Sequence, residues 1–249
     1  MMLPKTPSFR LDGKRAFVPG GSRGIGFGCA TALAEAGALV VLAARNAVQV
    51  AEAAAALNDA GFSAGGVALD VTDRAAVRDI CREPFDILCN SAGLARHAAT
   101  LDVTEEDFDA VTALNFKAAF FLAQEVAKSM PRGGSIIQIS SQMGHVGGVD
   151  RSVYAATKHA VEGMTKAMAI DLGPRGIRVN TIGPTFIRTP LTEQTFSNPE
   201  RVAWIEDKIK LGRVGEVEDI MGAVVFLASS ASALITGTSI LVDGGWTAG

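Results

Sequence analysis

The stretch from Arg15 to Gly37 leaves this chain few architectures. The apolar run Arg15-Ala16-Phe17-Val18 breaks at Pro19-Gly20-Gly21-Ser22-Arg23-Gly24-Ile25-Gly26, and an alanine-rich helical pattern follows up to Gly37. Strand, glycine turn and helix succeed one another, the unit from which parallel sheets are wound. The same alternation continues down the chain. Leu39–Ala44 is nearly all apolar, as expected of a strand buried on both faces. A helix from Ala47 to about Ala60 precedes a strand at 66–69, and Phe85–Cys89 is a fourth. A capping-box pattern, Thr104-Glu105-Glu106-Asp107, opens a long helix predicted to run to about Met130. Ser135–Ile139 is the fifth strand. Ser152 is the expected N-cap of a helix reaching residue 173, and Ile177–Ile182 is the sixth strand, stopped by Gly183-Pro184. A helix over 217–228 and a strand over 239–243 complete the pattern. The alternation predicts an α/β fold: a single doubly wound, Rossmann-type sheet of seven parallel strands with helices on both faces, one domain over 1–249. Between the sixth strand and the last helix, residues 186–211 carry Pro190, Phe196, Pro199 and Trp204, and are expected to form a substrate lid.

Composition narrows the partners. The chain has 249 residues, 48% of them hydrophobic and 20% charged, enough to bury a full core. A formal charge of -3, with no basic cluster interleaved with aromatics, argues against nucleic acid. Cys29, Cys81 and Cys89 suit neither a disulfide framework nor a zinc site, and His97, His145 and His159 are scattered, so no metal is expected. The longest apolar run, Ala38–Ala44, is too short to span a bilayer, and the first ten residues lack a targeting pattern. A soluble cytoplasmic protein acting on a small molecule is the expectation.

Two stretches carry chemistry. Gly20, Gly24 and Gly26 let the backbone approach a pyrophosphate, with Ser22 and Ile25 between them and a helix N-terminus beyond; a tight turn with close helix packing is the plainer reading. At the end of the second strand, where an acid would take the ribose hydroxyls of NAD, stands Arg45. An arginine there clamps a 2'-phosphate, and Arg23 adds a second charge, so NADP(H) is preferred and NAD(H) is the alternative. Asp70-Val71 closes the third strand, where Asp70 either accepts from an adenine amino group or caps the next helix with Thr72 and Asp73. Asn90-Ser91-Ala92-Gly93 closes the fourth with small residues that let a cofactor pass.

The second stretch runs from Ser141 to Lys158. Tyr154 and Lys158 lie one helical turn apart on one face, at the head of a stripe continuing through Val161, Thr165, Met168 and Leu172. An ammonium held near a phenol favours the phenolate, and general acid–base chemistry at a carbonyl or hydroxyl needs such a group; Ser141 would hold the reacting oxygen. A core tyrosine beside a snorkelling lysine is the plainer alternative. Asn115 falls inside the apolar stripe of the long helix, as a structural link or as part of a polar site.

Taken in order, these motifs resemble the short-chain dehydrogenase/reductase family over essentially the whole chain. Gly20–Gly26 is similar to its cofactor loop, Asn90–Gly93 to its N-N-A-G segment, and Asn115, Ser141, Tyr154 and Lys158 fall on its catalytic tetrad. The resemblance implies that Tyr154 passes a proton to a carbonyl oxygen held by Ser141 while the nicotinamide delivers hydride. It also implies that Lys158 binds ribose and lowers the tyrosine pKa, and that Asn115 holds a relay water. Pro184 to Thr189 resembles the segment gripping the nicotinamide side, with Ile187 and Thr189 the contacts. Pro19, Ser91 and Thr185 depart from the family's threonine, asparagine and glycine, which bears on cofactor affinity. Family members are mostly tetramers built on their long helices, so a homotetramer is implied. The expected activity is an oxidoreductase interconverting a secondary alcohol and a ketone, resembling the family's sugar/polyol dehydrogenase-like members. The alternatives are a 3-oxoacyl-carrier-protein reductase and, more remotely, a non-catalytic cofactor-binding module. Arg96, His97, His145 and Arg151 lie in segments that in this fold border the pocket, where they favour an anionic or polyhydroxylated substrate; a solvated surface charge is the plainer reading of each taken singly.

Overall fold

A computed structural model describes residues 2–190 and 192–249. Met1, the first residue of the expected domain, and Leu191, within the expected lid, lie outside the described residues. Seven strands, β1 (Arg15–Pro19), β2 (Leu39–Ala44), β3 (Ala64–Ala68), β4 (Ile87–Asn90), β5 (Ser135–Ile139), β6 (Arg178–Pro184) and β7 (Ser239–Val242), form one sheet. Their order is β3-β2-β1-β4-β5-β6-β7, and every neighbouring pair is parallel. Helices α1 (Gly24–Glu35), α2 (Ala47–Asp59) and α3 (Arg74–Ile80) link the first four strands. Then follow α4 (Glu105–Thr112), α5 (Ala119–Ser129), α6 (Ser152–Leu172), two short helices α7 (Glu193–Phe196) and α8 (Pro199–Lys208), and α9 (Glu218–Ala228).

Helices cover both faces because the central strands are apolar on both. On one face Leu33, Val50, Leu57, Ile220, Val224 and Leu227, from α1, α2 and α9, pack on Val18, Val40 and Leu42. On the other, Val77, Leu122, Val126, Val161 and Met168, from α3, α5 and α6, pack on Phe17, Leu88, Ile136 and Val179. Phe17 and Phe85 stack there with ring centroids 4.8 Å apart.

Four local expectations are corrected. The helix expected over 104–130 is interrupted: α4 ends at Thr112, Ala113–Ala118 forms a wider π turn, and α5 resumes at Ala119. Thr104 does cap α4, accepting from Asp107 N at 3.1 Å, but the Asp107 carboxylate turns to Arg96 at 2.6 Å, so the box is half made. Ser152 is the first residue of α6 and makes no capping bond; Arg151 holds the cap position, after Asp150 turns the chain through left-handed backbone (φ 57°). Finally, β6 runs on through Gly183-Pro184, where Pro184 pairs with Val242; a proline at the last residue of a strand forfeits one donor and leaves the ladder intact.

Candidate active site

The strand order reverses between β1 and β4. Chain leaving β1 crosses toward β2 and chain leaving β4 crosses toward β5, which opens a crevice beyond their carboxyl ends. The two segments there touch: Ser91 N donates to Pro19 O at 2.9 Å, and a Cβ on Gly20 (φ +78°) would stand 2.7 Å from Ala92 N. A Cβ on Gly26 would run into the Gly20 carbonyl. Glycine is therefore required at both places, and the plainer reading of a tight turn with close packing is true of them as well. At the start of α1, Arg23 stands at the cap position in extended backbone with no side-chain cap, and no acid lies in the first turn. The positive end of the helix dipole thus faces the crevice unbalanced. Arg23 and Arg45 are exposed, and neither joins an ion pair among the described residues.

Asp70 forms a turn with Thr72, accepting from its backbone N–H at 2.9 Å and its hydroxyl at 2.7 Å. Those bonds, with a smaller contribution from Arg45, hold its carboxyl below the usual range. The cap of α3 is Asp73, which accepts from Ala75 N and Ala76 N. Val71 is half-buried against the sheet. Asn90 spends its side chain inside the fold, donating to Gln138 Oε1 at 2.8 Å and accepting from Ala92 N at 3.2 Å.

Tyr154, Lys158 and Asn115 converge beside this crevice, and Ser141 stands just past the carboxyl end of β5. Lys158 is buried, donates to Ile139 O at 2.9 Å and lies 5.6 Å from the centroid of the Tyr154 ring. A Cβ on Gly93 would meet both Asn115 Oδ1, at 3.5 Å, and Lys158 Nζ, at 4.0 Å. Ser141 donates its hydroxyl to Gln142 Oε1 at 2.9 Å and accepts from Met143 N at 3.1 Å. Tyr154 is half-buried; its phenol takes no protein hydrogen bond among the described residues, while the other three side chains are all engaged. Asn115 sits in the π turn and clasps the backbone of Leu94: Oδ1 accepts from Leu94 N and Nδ2 donates to Leu94 O, both at 2.8 Å. Nδ2 also reaches Thr157 Oγ1 at 3.3 Å, and that hydroxyl in turn donates to Tyr154 O at 2.8 Å. Asn115 is a structural link, two hydrogen bonds away from the backbone of Tyr154. Thr157, Gln138 and Gln142 are the polar residues that sequence reasoning passed over. Gln138, lone in an apolar strand, carried the only readable signal.

Beyond β6, Thr185 N donates to Val242 O at 3.2 Å, while the Thr185 hydroxyl is buried with no partner among the described residues. Pro184 ends the strand below it. Ile187 turns its side chain into the core, 2% exposed. Thr189 stands over the glycine turn, its Cβ 3.4 Å from where a Cβ on Gly24 would be. The segment after β6 leaves and rejoins the fold at one knot: Gly215 N donates to Phe186 O at 2.9 Å and Arg188 N donates to Gly215 O at 2.8 Å. Within the lid segment and its neighbour, Trp246 packs against both Phe186 and Trp204, centroids 5.7 Å apart in each case.

Of the residues expected around the pocket, His97 and Arg151 come to Tyr154. The His97 ring meets the Tyr154 ring edge-on at 5.7 Å, and burial, then Arg151, push the imidazole down to about 4. Arg96 is drawn away to Asp107 and Glu106. His145 contacts Ser239 Oγ at 3.1 Å and Glu162 at 3.5 Å. Arg201 of α8, unflagged by any motif, lies close enough to act on the charges of both His97 and Arg151. Among the described residues no three His, Cys, Asp or Glu gather as a metal site, and no helix is long and apolar enough to cross a membrane.

A glycine turn and a Tyr–Lys helix meeting at the switch point of a doubly wound sheet define a dinucleotide-fold oxidoreductase site. Residues 20–247 match the model of the family described as enoyl-(acyl carrier protein) reductase. Gluconate 5-dehydrogenase of Gluconobacter oxydans (strain 621H) is 40% identical over 247 residues, covering 96% of each chain. D-threitol dehydrogenase of Mycolicibacterium smegmatis is 38% identical, over 96% of this chain and 95% of that one. A crystal structure of a gluconate 5-dehydrogenase from Burkholderia cenocepacia J2315, in complex with NADP and tartrate, superposes with a TM-score of 0.93 at 36% identity, covering 97% of this chain and 98% of the other. The chain belongs to the short-chain dehydrogenase/reductase family, a family of NAD(P)-dependent oxidoreductases.

Proposed function

We propose that this protein is an NADP(H)-preferring oxidoreductase that interconverts a secondary alcohol and a ketone on a small polyhydroxylated substrate, with Tyr154 as general acid–base. The observation that carries the reading is the Tyr154 phenol, free of protein partners beside a buried, anchored ammonium. The sugar and polyol names of the relatives, and the NADP held by a structural neighbour, support the substrate class and the cofactor.

The crevice fits a dinucleotide on its own features: Gly20 and Gly26 admit no side chain, the α1 terminus and Arg23 are unbalanced, and the Thr185 hydroxyl is an orphan. Gly20, Ser22, Arg23, Gly24, Ile25 and Gly26 would hold the diphosphate, and Arg45 with Arg23 the 2'-phosphate. Asp70 and Val71 would border the adenine, and Asn90, Ala92 and Gly93 the passage between. Lys158 with Tyr154 would meet the ribose, and Pro184, Ile187 and Thr189 the nicotinamide side, Ile187 through its backbone. When bound, NADP(H) supplies the hydride acceptor or donor.

The protein's share is proton chemistry and positioning. Tyr154 gives its proton to the carbonyl oxygen in reduction and takes one from the hydroxyl in oxidation. Lys158 has three donors, of which Ile139 O occupies one, leaving two for ribose hydroxyls and the phenol oxygen. Ser141 holds the reacting oxygen once Gln142 turns its amide to present Nε2–H to Oγ, which releases the serine proton toward the substrate. The free lone pair of Asn115 Oδ1 is what it offers a relay water. The segment 186–211 closes over the substrate, and the protein works in the cytoplasm as a homotetramer.

The test is turnover of ketoses and keto acids with NADPH. Tyr154→Phe is expected to lower kcat by roughly 100-fold or more while NADPH still binds, and Arg45→Ala to weaken NADPH binding more than NADH binding. A Phe variant as active as the parent would sink the assigned role. Preference for 3-oxoacyl thioesters over every sugar would move the protein to the acyl-carrier branch.

A further inference from the structure

Building on that reading, we infer that Arg151 and Arg201 form a carboxylate clamp at the mouth of the site, so that the substrate is a polyhydroxylated acid rather than a neutral polyol. Arg151 stands just ahead of Tyr154 at the start of α6, half-buried, and its guanidinium finds only two long contacts, to Val149 O at 3.5 Å and Asp150 O at 3.4 Å. Arg201 comes from the first turn of α8, in the lid, and lies over the Trp204 ring at 4.5 Å. Among the described residues neither joins an ion pair. The neighbouring arginines all do: Arg96 with Asp107 and Glu106, Arg188 with Glu216, Arg213 with Asp219.

Two half-buried guanidiniums from different elements, Arg201 near enough to disfavour the charge of Arg151, are an unfavourable arrangement unless an anion comes between them. Burial, then Arg201, lowers the Arg151 pKa. The other groups facing the pair are Asp150, which is close but outside ion-pair distance, His97, which is neutral near pH 7, and the phenol of Tyr154. Two positive charges against one negative leave a net charge of about +1, the complement of a monoanion. A carboxylate is the anion that a guanidinium fork matches with paired hydrogen bonds. The neutral His97 ring, a donor at one nitrogen and an acceptor at the other, suits the hydroxyls of the same molecule. Because Arg201 rides on the lid and Arg151 on the catalytic helix, one bound carboxylate ties the two together.

The experiment is calorimetric titration of the protein, with and without NADP+, by D-gluconate and by D-sorbitol, which has the same carbon chain without the charge. The wild type is expected to bind gluconate at least about 10-fold more tightly than sorbitol. Arg151→Gln and Arg201→Gln should each weaken gluconate by roughly 10- to 100-fold, the worth of a charge-assisted bond, and leave sorbitol within about threefold. Arg201→Lys should recover part of the loss. Circular dichroism checks the fold of each variant; Arg201→Glu, reversing a charge on a partly exposed helix, supplies a second variant and should abolish gluconate binding. Equal affinity for sorbitol and gluconate in the wild type, or gluconate binding unmoved in both Gln variants, would overturn the clamp. Selectivity for gluconate that disappears with Arg151→Gln in the NADP-free protein supports the clamp whatever the NADP+ titration shows; absent NADP+ binding would count against the cofactor reading alone.

Discussion

At His97 the neighbourhood decides the chemistry of the side chain. The ring leans edge-on against Tyr154 and is held neutral down to about pH 4, chiefly by burial and next by Arg151. The consequence for stability has a definite sign. As pH falls from the ordinary histidine value of 6.5 toward about 4, the unfolded chain takes up a proton that the folded chain refuses, so the folded state loses stability across that window. Thermal melts of the wild type and of His97→Gln are expected to diverge there, the wild type losing more, and parallel melting curves would show that the ring titrates normally. Residues of this kind were only partly legible. Tyr154 and Lys158 could be paired from sequence because a helical turn sets their relation locally. Arg201 could not be joined to them, since only the folding back of α8 brings it near His97 and Arg151. Ile187 read as a cofactor contact, and the bridge to Gly215 turns its side chain into the core instead.

The π turn at Ala113–Ala118 is the element on which the site's framework depends. An apolar stripe with a period near 3.6 residues is blind to it, because one widened turn shifts the stripe by less than the stripe's own width. Within it lies Asn115, whose amide closes two hydrogen bonds with Leu94 and ties down the loop that carries Gly93 past Lys158. Asn115→Ala strands the half-buried N–H and C=O of Leu94 and is expected to cost about 1–3 kcal/mol in denaturant unfolding. Asn115→Asp, which keeps the acceptor and loses the donors, should cost less than Ala. Equal stability of Ala variant and parent would mean that water takes over both groups. The strands, by contrast, were legible to within a few residues, because apolar runs between glycine and proline turns have no other home than a sheet covered on both faces.

Across the whole molecule, α4, the π turn and α6 still expose Phe108, Phe116 and Ile170, the last 77% accessible. Apolar surface of that kind on long helices fits the expected homotetramer. Light scattering should return about four times the 25.8 kDa chain mass, and Ile170→Glu should shift the population to smaller species; a monomeric parent would refute the assembly. The strand order explains why distant segments of sequence meet at one crevice, something that the alternation of elements implies but no local pattern shows. The knot at Phe186, Arg188 and Gly215 carries a different implication. A loop fastened to itself at its base can change length and composition beyond that point without altering the sheet, since closing a longer loop costs little more than closing a short one. Residues 190–214 are in that sense a cassette: a stretch that could be exchanged between relatives to retune what the enzyme accepts, while the proposed hydride chemistry beneath it stays as it is.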